Sequence, residues 1–188
     1  MGKKLITILV LTFAYSLLRY VVFGPVDLIH TPVYLLNKSV SMTSVICLFL
    51  SLRYFGKRNP AGAKYFGIAS FHTASAHILL SLSILSAAYY PKFFHVDKMN
   101  LVGELTMMFG VVAAYLYLFI CPVRQGAAFP VIYQIVAVLM IGGHLVSMGL
   151  KGWLAVSQWY GGLPPISLIS FIFLVACLGL LLRPQPKE

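Results

Sequence analysis

Apolar residues in this chain come in runs too long for a buried strand and too uniform for an amphipathic helix. At about 4–23, 33–54, 64–90, 100–122, 127–150 and 164–183 the residues are mostly apolar, with polar ones scattered singly between them. A helix needs about 20 such residues to cross the hydrocarbon core of a bilayer. The pattern therefore predicts six membrane helices in one all-α domain that takes up nearly the whole chain. The connections are short and carry turn chemistry: Gly24 to Pro32, Arg53 to Gly62, Tyr89 to Asn100, Pro122 to Gly126 and Lys151 to Pro165.

Composition agrees with that pattern. Of 188 residues 60% are hydrophobic and only 10% charged, and the mean hydropathy is +0.91, well outside the range of soluble domains. A net charge of +10 would suggest nucleic acid in a soluble protein. Here the basic residues lie mostly in short connections, which makes them topology signals and excludes a nucleic-acid partner. With the N-terminus inside, Lys3, Lys4, Arg53, Lys57, Arg58, Lys64, Arg124, Arg183 and Lys187 lie inside, against Arg19, Lys38, Lys92, Lys98 and Lys151 outside. That asymmetry predicts both termini on the cytoplasmic side. The start, Met1 to Ala14, has the charged and apolar regions of a secretory signal. Its apolar run continues to Phe23 without a small-residue cleavage site, so it reads as a first membrane helix.

Histidines supply the candidate chemistry. His72 and His77 lie in the third run and His144 in the fifth, behind Gly142 and Gly143. Ionisable side chains within a membrane segment are costly and are usually kept for function. At 1.5 Å per residue His77 lies about 20 Å along its helix and His144 about 25 Å along a helix running the same way, a similar depth. Two readings are open on this spacing: imidazoles that hydrogen-bond across the bundle, or axial ligands of one haem iron between two helices. His72, five residues before His77, is turned about 140° from it and is the alternative ligand.

Other candidates are weaker. His30 and His95 fall in outer connections with Asp27 and Asp97, as solvated loop residues or as an external docking, quinone or metal site. Glu104 is the one carboxylate inside a predicted helix, placed to relay protons, orient a neighbour or snorkel to the interface. Cys47, Cys121 and Cys177 lie in or beside apolar runs as small packing residues, and none begins a covalent haem-attachment motif, so any haem is b-type. Nucleophile–base sets, dinucleotide fingerprints and phosphate loops are not found.

The stretch Lys64 to His77, with Gly67 ten residues before the histidine, resembles the signature of the ferric reductase-like transmembrane domain family. Asn100 to Gly110 and Gly149 to Ser167 are similar to further family segments. The family includes ferric reductases, the membrane part of NADPH oxidases and the haem-binding membrane subunit of the periplasmic methionine sulfoxide reductase system. The resemblance implies a six-helix bundle in a bacterial plasma membrane, with one haem b held by His77 and His144, passing electrons to an external acceptor. Val131 and Ala63 or Lys64 stand where many members carry a second histidine pair, which implies that the inner haem is absent. The 188 residues hold no counterpart of the family's soluble flavin and nicotinamide domains. Electrons would then come from a separate flavoprotein, a bound flavin or a membrane quinol. The alternative is a haem-free structural or assembly subunit of a larger membrane complex.

Overall fold

The computed structural model describes residues 1–26, 31–120 and 131–183, with the backbone alone at residues 31 and 118–120. Among the described residues six long helices carry the fold: α1 Gly2–Leu17, α2 Thr31–Gly56, α3 Pro60–Ser83, α4 Leu101–Ala114, α5 Val131–Leu154 and α6 Ile166–Leu181. Single π-helical turns, Leu18–Val22 and Tyr115–Ile120, continue α1 and α4. Among the described residues four segments are long and apolar enough to cross a membrane: Gly2–Val22, Pro32–Gly56, Val131–Leu154 and Tyr160–Leu181. Large side chains such as Ile6, Val10, Leu11, Ile172 and Val175 are exposed on them, as expected of a surface solvated by lipid tails.

In such a setting apolar contact does not by itself hold helices together, and small residues and polar groups do much of the joining. The central helix α2 shows this best, packing against α1, α3 and α6. Its buried face includes Asn37, Ser39, Thr43 and Ser44. Thr12 of α1 sets its hydroxyl 2.9 Å from both Ser39 and Thr43. Ser70 of α3 donates to the Ser44 carbonyl at 2.8 Å, and Ser51 donates back to the Ala63 carbonyl at 2.8 Å. The turn between α2 and α3 is closed by Asn59, which caps the Gly62 N–H at 2.9 Å ahead of Pro60. Stacking of Tyr54 on Phe66 at 5.5 Å seals that end.

The opposite end holds the longest irregular segment. Here α3 stops at Ser83, short of the residue 90 expected from its apolar run. Ile84, Tyr90 and Phe93 turn inward and are buried against Tyr34 and Met148, so tertiary burial claims the residues that extended the run. A 3-10 turn, Pro91–Phe93, leads into a small antiparallel hairpin, β1 Phe94–His95 with β2 Lys98–Met99. Asn100 then starts α4, capping the Gly103 N–H at 3.0 Å while its own amide donates to the Lys92 carbonyl at 2.9 Å. A Cβ on Gly103 would lie 2.6 Å from the Phe93 carbonyl, so only glycine fits beneath the turn.

The fifth helix runs on to Leu154, past the expected end at residue 150. Trp153, within the expected connection Lys151 to Pro165, is instead buried in the last turn of this helix and donates to Ser167 of α6 at 2.9 Å. Cys47 and Cys177 are free and buried, in keeping with small packing residues; Cys121 lies outside the described residues.

Replacing Thr43 with Val keeps its shape and removes the bond to Thr12. We expect a loss of about 1 kcal/mol, the scale of an interhelical hydrogen bond in a membrane, read as a lower midpoint of unfolding in mixed micelles. Thr7→Val, at an exposed hydroxyl that bonds only within its own helix, should leave that midpoint unchanged.

Candidate functional site

His77 and His144 are pinned in the same way from different elements. The His77 Nδ1 lies 2.6 Å from the Asn37 Oδ1. Asn37 is 1% exposed, and its amide nitrogen donates to the Tyr90 hydroxyl at 2.9 Å and to Ser81 at 3.1 Å. With the amide nitrogen on those two hydroxyls its carbonyl oxygen faces the imidazole and takes the Nδ1 proton, while the Ser81 hydroxyl also lies 3.3 Å from that nitrogen. The His144 Nδ1 lies 2.8 Å from the Thr106 main-chain carbonyl, which can only accept, and the same tautomer follows. Each ring therefore keeps its Nε2 lone pair free, and no hydrogen bond to either Nε2 forms among the described residues. A histidine that holds metal through Nε2 is commonly oriented this way, with its other N–H given to a carbonyl.

Local sequence explains how His144 is held. Gly110 lies against its ring: a Cβ there would stand 3.0 Å from the imidazole Nδ1. Gly143 lets the neighbouring Phe109 ring approach, where a Cβ would meet it at 2.8 Å. Thr106 bonds back to the Val102 carbonyl at 2.6 Å and reaches Ser147 at 3.1 Å, which ties α4 to α5 one turn from the histidine.

The helices bearing the two imidazoles are not packed on each other. α3 rests on α2, and α5 on α4 and α6, with no extensive α3–α5 contact. Yet the His144 ring is close enough to His77 to act on its charge, and both rings are half-buried. Two imidazoles, each held through Nδ1, thus come near each other from two separately braced helices. Among the described residues no three His, Cys, Asp or Glu side chains converge as a metal site. A haem needs only two from the protein, since its ring supplies four nitrogens.

The other candidates lie apart from this pair. His72 is exposed, edge-on to Phe71 at 5.5 Å, on the face turned from His77. His95 and Asp97 are exposed on the hairpin, while His30 and Asp27 lie outside the described residues. Glu104 is exposed in the first turn of α4, where a carboxylate complements the helix dipole. A cavity of about 300 Å³ is lined by Ser51, Gly67, Phe71, Tyr117, Gln134 and Ile141 among others. Its lining residues on α3 and α5 precede the histidines along their helices, and neither ring lines it.

Sequence reasoning missed Asn37, Thr106 and Gly110, and took Lys38 and Lys92 for topology signals. The Lys38 ammonium lies 5.0 Å and 5.4 Å from the ring centres of Tyr34 and Tyr90. Lys92 donates to the Met148 carbonyl at 2.7 Å, four residues beyond His144. The residue is exposed, with its ammonium 5.1 Å from the Phe93 ring centre. Desolvation, with the Lys38 charge second, pushes Lys92 down to about 8.

That depression carries a sign. Between about 8 and the ordinary lysine value of 10.5 the unfolded chain binds more protons at this position, so folding stability rises with pH across the window. Cofactor-free wild type should therefore gain thermal stability relative to Lys92→Met as the pH is raised from 8 to 10 (about two units). Parallel curves for the two proteins would contradict the assignment.

No family model matches the chain and no curated protein matches it.

Proposed function

We propose that this protein is a membrane b-type cytochrome in which His77 and His144 are the axial ligands of one haem and pass electrons to an external acceptor. One observation carries the reading: each imidazole gives its Nδ1 proton to a carbonyl oxygen and leaves its Nε2 free, on two helices that do not pack together. The likeness of Lys64 to His77 to the ferric reductase-like signature supports the same reading. In the bundle we propose, α3 and α4 join the four apolar spans, both termini face the cytoplasm and the hairpin end faces outward. The site would then lie in the outer half of a bacterial plasma membrane.

Haem, when bound, supplies a one-electron couple at iron. The chain decides how that couple is used. With His77 and His144 both holding the iron, no place would be left for an outside ligand, which would favour outer-sphere transfer over binding of oxygen or another small molecule. Neutral acceptors on both Nδ1 protons keep the ligands as imidazoles and hold their planes. The Asn37 carbonyl is itself held by Tyr90 and Ser81, so the His77 ring has little freedom to turn.

The test is a reduced-minus-oxidised spectrum with haem quantified per chain. We expect about one b-type haem per wild-type chain, lost in both His77→Ala and His144→Ala and retained in His72→Ala. Asn37→Leu, which leaves the ligand and removes its acceptor, should weaken haem retention by about 10–100-fold. A well-folded wild type without haem, expressed under ample haem supply, would overturn the proposal and favour a structural subunit of a larger complex.

A further inference from the structure

Two ammonium groups at the hairpin end approach the histidine pair and have no counter-ion among the described residues. Lys38 comes from the His77 side: it follows Asn37 in α2, and its charge acts on both imidazoles. Lys92 comes from the His144 side, anchored on the Met148 carbonyl one turn beyond that histidine, and its charge acts on His144. The two also act on each other. The described carboxylates, Asp97 and Glu104, are exposed, and neither lysine makes an ion pair among the described residues. Bringing two like charges together at the edge of a low-dielectric bundle is unfavourable unless an anion joins them.

We propose that Lys38 and Lys92 form a two-cation clasp for the paired carboxylates of the cofactor, fixing its acidic edge at the hairpin end. The inference rests on the haem reading above. Haem b is a largely apolar disc with two propionates on one edge, which matches two cations gathered at one end of the histidine pair. The aromatic setting holds the cations in place: Tyr34 and Tyr90 sit under Lys38 and Phe93 under Lys92. Tyr90 also accepts from Asn37 at 2.9 Å, so the clasp and the His77 brace share one residue. Two positive charges near the iron also favour the reduced state, with one less positive charge on the metal.

The experiment reconstitutes cofactor-free wild type in nanodiscs with haem and with its dimethyl ester, whose propionates carry no charge, and compares affinity and reduction midpoint. A charge-assisted hydrogen bond contributes enough for about a tenfold change in affinity. We therefore expect wild type to bind the free acid at least about tenfold more tightly than the diester, and Lys38→Met and Lys92→Met each to remove part of that preference. Both variants should lower the midpoint of the free-acid form, with Lys38→Arg restoring it. Equal affinity for acid and diester in wild type overturns the clasp while leaving the histidine ligation standing. Failure of wild type to bind either form overturns both. The acid–diester comparison needs no variant, so a misfolded mutant does not blunt it.

Discussion

The Asn37 carboxamide is the contact on which the site depends. Its oxygen takes the His77 Nδ1 proton at 2.6 Å, and its nitrogen bonds the Tyr90 hydroxyl at 2.9 Å. An amide buried in an apolar bundle must satisfy both ends or lose the desolvation cost of each. Satisfying them ties three elements together: α2, α3 and the irregular segment that follows α3. That segment folds inward because Tyr90 and Phe93 are buried there; it then caps α4 through Asn100, and α4 presents the Thr106 carbonyl to His144. The two imidazoles are thus positioned by one connected set of polar contacts, although their own helices do not pack together.

Much of the architecture was legible in the hydrophobic pattern, because lipid solvation leaves long apolar runs unbroken by the periodicity of a soluble core. The histidines stood out for the same reason. Helix ends were less legible. Ile84 and Leu85 prolong an apolar run whether they continue a helix or turn into a buried cluster, and only the packing of Ile84, Tyr90 and Phe93 with Tyr34 decides between them. Trp153 was misplaced on similar grounds, since an aromatic near a membrane edge fits an interfacial belt as well as a helix contact.

The supporting residues were illegible for a different reason. Asn37 is one polar residue among several in α2, and its partner is 40 residues away in sequence; no local spacing marks it. Thr106 contributes a main-chain carbonyl, so its side chain carries no signal of the bond to His144. Lys38 and Lys92 entered the sequence reading as basic residues of the outer side, but charge counting cannot tell an ammonium facing water from one turned towards other side chains. The signal available was the scarcity of acids: four Asp and Glu against fourteen Lys and Arg leave most cations without a carboxylate.

The central claim is that two Nε2 atoms, one from His77 and one from His144, hold the same iron. Low-temperature EPR of the oxidised, purified protein tests it most directly, because the ferric spin state reports the axial ligands. The account predicts a low-spin signal of the bis-imidazole type. A high-spin ferric signal from well-folded protein would mean that at least one histidine does not reach the metal, and would contradict it.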